Sequence, residues 1–125
     1  MKKKRASVEN AISKSFIRQV NMYRHYGQFA LDFMVFHVPN QQVSGPIYGK
    51  HMKEMGVLAG VFDYCLFFPG GRIAFIEMKS SKIAPVRPSQ RKFAMKLDEY
   101  GIPNLITWDT TEAIEFIRNL CLQWK

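Results

Sequence analysis

Apolar positions along the chain change period several times, and each change marks an element. From Ser7 to Tyr26, Val8, Ile12, Phe16, Val20 and Tyr23 recur at helical spacing. That predicts an amphipathic helix with Ser7 as N-cap and Gly27 as its stop. Phe33, Val35 and Phe36 suggest a first strand within Phe29 to Val38, and Pro39 to Pro46 reads as a polar loop. A short helix is predicted over Tyr48 to Met55, ended by Gly56. In Gly60 to Ser81, two β-branched and aromatic runs flank Pro69-Gly70-Gly71, the pattern of a β-hairpin. A basic, proline-containing loop runs from Ser80 to Arg87. Pro88 then opens a helix to Tyr100, with Phe93, Ala94 and Leu97 as its buried stripe and Gly101 as its stop. Asn104 to Trp108 reads as a strand. Asp109 or Thr110 caps a last helix, and Glu112 stands where a capping box with Asp109 would need it. The apolar face of that helix is Ala113, Ile114, Ile117, Leu120, Cys121 and Trp124. The predicted order, α-β-(α)-β-β-α-β-α, implies an α/β fold: a mixed central sheet flanked by helices, its last strand parallel to the one before and reached by a right-handed crossover.

The hairpin carries the candidate chemistry. Each of its runs holds a single carboxylate near the end away from the turn, Asp63 in the first and Glu77 in the second. Lys79 follows Glu77 by two residues, so on a strand the two share a face. Register decides whether the carboxylates meet. A two-residue Gly70-Gly71 loop pairs Asp63 with Met78 and sends Glu77 to the other face. A three-residue loop, Pro69 to Gly71, pairs Phe68 with Arg72 and Asp63 with Glu77, roughly 5 Å apart at Cβ. Two ionised carboxylates that close repel, and the repulsion must be offset by a shared proton, a basic neighbour or a divalent cation. One lysine against two carboxylates favours the cation, and oxygen ligands suit magnesium or manganese. The plainer alternative is a strand-starting Asp63 and a solvated Glu77–Lys79 ion pair.

A chain of 125 residues is one domain's worth, expected over residues 7–125 with residues 1–6 as a basic N-terminal arm. The formal net charge of +8 points to a polyanionic partner. Cys65 and Cys121 lack metal-ligand spacing and fall on apolar stretches, which fits buried reduced thiols and a cytoplasmic location. Lys2 to Arg5 resembles the start of a signal peptide, but Glu9, Lys14 and Arg18 break up the apolar run that such a peptide needs, and no membrane-spanning run is present. His25, His37 and His51 show no ligand or catalytic spacing and read as surface or core-edge histidines.

Gly60-Val61-x-Asp63, then Ile76-Glu77-x-Lys79 after thirteen residues, then Gln90 opening a helix, resembles the PD-(D/E)XK nuclease superfamily. Within it the chain is most similar to the VRR-NUC family of small nucleases, over roughly Met55 to Ile106. The family often has Pro before the Asp; here that position is Phe62. The resemblance implies a restriction-endonuclease-like core and a metal-dependent DNA endonuclease, probing DNA shape as Holliday-junction resolvases do and working as a homodimer. It implies Asp63, Glu77, Lys79 and Gln90 as catalytic residues. It also implies Asp63, Glu77, the carbonyl of Met78 and a first-helix Glu9 as ligands of Mg2+ or Mn2+. The other reading of Glu9 is a first-turn acid interacting with the helix dipole. Lys50, Lys53, Lys82, Arg87, Arg91 and Lys92 are the candidates to track the DNA backbone. Two alternatives stay open: a non-catalytic basic module that binds nucleic acid, and a metal-dependent phosphodiesterase acting on RNA.

Overall fold

The computed structural model describes residues 2–39, 46–80 and 83–125, with side chains from residue 11 onward except at 46 and 48. Lys82, most of the Pro39 to Pro46 loop and the side chains of Val8 and Glu9 therefore lie outside the described residues. The elements run α1 (Lys2–His25), β1 (Met34–His37), α2 (Pro46–Glu54), β2 (Tyr64–Phe68), β3 (Arg72–Met78), α3 (Pro88–Glu99), β4 (Asn104–Thr107) and α4 (Thr110–Trp124). The four strands form one mixed sheet in the order β1-β2-β3-β4, with β4 parallel to β3 and the other pairs antiparallel.

The strands bury their alternate faces differently. Tyr64, Leu66, Phe68, Ala74, Ile76 and Met78 point to one side. There they pack with Phe16 and Val20 of α1 and with Ala113, Ile114, Ile117, Leu120 and Cys121 of α4. Phe16 stands edge-on to Tyr64 with ring centroids 4.9 Å apart. α3 covers part of the opposite side, where Phe93 meets Phe75 and Phe62, each at 5.2 Å between centroids. Both cysteines are buried and unpaired. Among the described residues, no helix is long and apolar enough to cross a membrane.

Two boundaries differ from the sequence reading, and a third settles a choice that it left open. α1 begins at Lys2 rather than Ser7, so Ser7 is not its cap and residues 2–6 are helical backbone rather than a free arm. Lysine and arginine are good helix formers, and nothing between Lys2 and Ser7 interrupts the helix. Glu9 consequently falls outside the first turn, which removes the dipole interaction as its role. α2 starts at Pro46, two residues before the predicted Tyr48, because proline is tolerated in a first helical turn. At α4 the cap is Asp109, not Thr110: the Asp109 carboxylate accepts the Thr111 N–H at 2.9 Å.

Candidate active site

The hairpin turns through the three-residue loop. Phe68 pairs with Arg72 and Tyr64 with Ile76, so the next step places Asp63 opposite Glu77. Gly70 and Gly71 both have positive φ, 85° and 73°, which the turn requires and which other residues rarely adopt. The two carboxylates are stitched through each other's backbone. The Asp63 N–H donates to Glu77 Oε1 at 3.0 Å, and the Met78 N–H donates to Asp63 Oδ2 at 3.3 Å.

α3 completes the cluster. Pro88 starts the helix, which puts Gln90 in its first turn with the side chain directed back toward the sheet. Gln90 Nε2 donates to Glu77 Oε2 at 3.0 Å, while Gln90 Oε1 accepts from Lys79 Nζ at 2.7 Å and from the Arg87 N–H at 3.0 Å. Lys79 Nζ also lies 3.7 Å from Glu77 Oε2. Glu77, Lys79 and Gln90 are all buried, with 5%, 8% and 8% of their surface exposed. This excludes the solvated ion pair that the sequence alone allowed. α3 can approach so closely because residue 60 is glycine: a Cβ there would lie 2.2 Å from the Ser89 carbonyl oxygen, and its φ is +87°.

The electrostatics follow from burial. Loss of hydration, then the nearby Asp63 charge, pushes the Glu77 carboxyl up from its ordinary 4.5 to about 7, against the pull of Lys79. Burial also raises Asp63, opposed by the Met78 N–H and by the charge of His37. One ammonium among two buried carboxylates leaves surplus negative charge, so at neutral pH the cluster holds a proton on Glu77 or needs a further cation.

No family model matches the sequence, and no curated protein matches it either. A solved structure described as a VRR_NUC domain is similar to the chain with a TM-score of 0.50 over 91% of this chain and 94% of that one, at 17% identity. The chain has the fold of a VRR_NUC domain. Its mixed sheet with helices on both sides is accordingly a restriction-endonuclease-like α/β fold.

Within this VRR_NUC-like fold, Asp63, Glu77, Lys79 and Gln90 converge from the start of β2, the end of β3 and the first turn of α3. Met78 joins them through its N–H. Arg87, Arg91 and Lys92 are exposed at and just inside the start of α3, next to Gln90. Lys50 and Lys53 are exposed on α2, and the structure does not bring them into the cluster. His37, a surface or core-edge histidine by its sequence, is exposed near Asp63. It ends β1 opposite Tyr64, their rings 5.3 Å apart, and the Val38 N–H donates to the Asp63 carbonyl at 2.6 Å. Nothing in its spacing signals this position, because only the pairing of β1 with β2 creates it.

Proposed function

We propose that the protein is a divalent-metal-dependent endonuclease that hydrolyses DNA phosphodiester bonds, with preference for branched DNA such as junctions and flaps. The observation that carries this reading is the convergence of Asp63, Glu77, Lys79 and Gln90 into one hydrogen-bonded, largely buried group. A protein that only binds nucleic acid gains nothing from buried carboxylates facing phosphates, which they repel.

The donor set fits a hard cation: two carboxylates with excess negative charge and only oxygen ligands. Asp63, Glu77 and the Met78 carbonyl would hold magnesium or manganese, with Glu9 from α1 as a further ligand. Among the described residues, no group of three or more His, Cys, Asp or Glu side chains gathers, and carbonyl and water oxygens would add to the carboxylates in holding the ion. When bound, such an ion activates a water and neutralises charge on the phosphate. Lys79, held at 2.7 Å by Gln90, offers its ammonium to the attacking water or a phosphate oxygen. Gln90 fixes Lys79 and Glu77 relative to one another and so keeps both aimed at the reacting phosphate. Arg87, Arg91, Lys92 and Lys82 bind the backbone without reading sequence, and the formal net charge of +8 draws DNA toward the site. The protein acts in the cytoplasm, where its two thiols stay reduced. It works as a homodimer of one nuclease domain, residues 7–125, preceded by the basic residues 1–6.

The test is cleavage of labelled linear duplex, flap, fork and four-way junction with magnesium, manganese or EDTA. Metal-dependent cutting that favours the branched forms supports the proposal. Cutting of RNA but not DNA would reassign the substrate. Tight junction binding without cutting in any metal would make the protein a binding module.

A further inference from the structure

Among the described residues, an open pocket of about 270 Å3 lies at the end of β4, lined by Thr107, Trp108, Asp109 and Glu112. The proposed hydrolysis makes no use of it. Its Thr107 pairs with the strand that carries the cluster. Met78 is the partner of Thr107 in the parallel register, and the Lys79 N–H donates to the Thr107 carbonyl at 2.7 Å. Trp108 therefore begins about one strand spacing, ~4.8 Å, from Lys79. Ile106 stands opposite Glu77, and Trp108 follows the last residue of β4.

The lining selects a ligand class. Trp108 and two exposed acidic residues line it, so a phosphate is repelled whereas a flat ring bearing amino hydrogens is accommodated. The volume is below that of sites for drug-sized molecules and suits a single small ring system. Both lining carboxylates can accept from a ligand; Asp109 also caps α4 through Oδ1, which makes Glu112 the one to replace. Among the described residues, the Trp108 indole Nε1 is buried with no hydrogen-bond partner, a costly arrangement. Nucleobases meet these demands: their rings stack on indole, and the exocyclic amino groups of cytosine, adenine and guanine donate to carboxylates.

We infer that this pocket receives an unstacked, amino-bearing nucleobase of the DNA strand whose phosphate lies at the Asp63–Glu77–Lys79 cluster. The inference rests on the nuclease proposal and adds to it a reason for preferring branched DNA. In a duplex the base must first be unpaired and unstacked, whereas at a junction, flap or bulge it already is.

The test is equilibrium binding, in EDTA so that nothing is cut, of labelled hairpin duplexes that differ at one position. That position holds an unpaired cytosine, an unpaired thymine, an abasic site or no extra nucleotide. Unpaired cytosine should bind about tenfold tighter than the abasic site, with thymine between them. Trp108→Ala should erase the difference and Trp108→Phe should keep most of it, with circular dichroism confirming that both fold. Glu112→Ala should remove the preference for cytosine over thymine and leave abasic binding unchanged. Equal affinity of the wild type for cytosine and abasic duplexes, or a tenfold preference that survives Trp108→Ala, would overturn the inference. Cleavage with magnesium, run beside these assays, separates the two ideas. Cutting without base preference defeats only the pocket, whereas no cutting of any DNA defeats the nuclease proposal.

Discussion

Replacing Glu77 by glutamine should change the stability of the metal-free protein by an amount that depends on pH. In the wild type, burial and the Asp63 charge lift the Glu77 carboxyl from 4.5 to about 7. The folded state therefore holds a proton that the unfolded chain releases, and stability falls as pH rises through that window. Integrated from pH 5 to pH 8, the loss is on the order of 2–3 kcal/mol. Glutamine cannot ionise, so the variant escapes it. The variant does disturb hydrogen bonds, since its amide must face either the Asp63 N–H or the Gln90 Nε2–H, both donors. That disturbance is the same at both pH values and cancels in the comparison. The measurement is thermal unfolding of both proteins in EDTA at pH 5 and pH 8. The difference between them should shift by about 10 °C in favour of the variant at the higher pH. Millimolar magnesium at pH 8 should raise the melting temperature of the wild type and leave the variant little changed. A wild-type-to-variant difference that is equal at both pH values, or moves the other way, would refute the buried-carboxylate reasoning.

Packing and charge give two further outcomes. Gly60→Ala should cost ~2 kcal/mol or more in unfolding experiments, because the new methyl must displace the Ser89 backbone at a φ that alanine disfavours; an unchanged midpoint would show that the α3 approach does not depend on this glycine. Replacing Arg87 and Arg91 by alanine should weaken DNA binding and lower the slope of log affinity against log salt by about one for each phosphate no longer neutralised, and an unaltered slope would remove them from the interface.

How far the site is legible in the sequence varies residue by residue. The Pro69-Gly70-Gly71 turn leaves two registers open, and the three-residue one, with Phe68 on Arg72, is observed. Pro88 and Gly101 bracket α3 well enough to place Gln90 in its first turn. Local patterns go no further. That Gln90 bridges Glu77 and Lys79 depends on how α3 lies across β3, which Gly60 permits from a different part of the chain. His37 beside Asp63 arises from the pairing of β1 with β2, which periodicity does not encode, whereas the parallel pairing of β4 with β3 is implied by the strand-helix-strand order. The early start of α1 escapes the apolar pattern because Lys2 to Arg5 carry charge rather than a helical stripe, while their intrinsic propensity still supports helix.

Asp63, Glu77 and Lys79 are held to be a hydrolytic centre rather than a structural ion cluster. The most direct test is single-turnover cleavage of a four-way junction in magnesium by the wild type and by Glu77→Ala, with junction affinity measured on the same samples. A loss of cutting by about a hundredfold or more, with affinity within a few fold, is the predicted result. Cleavage by Glu77→Ala at the wild-type rate would contradict it.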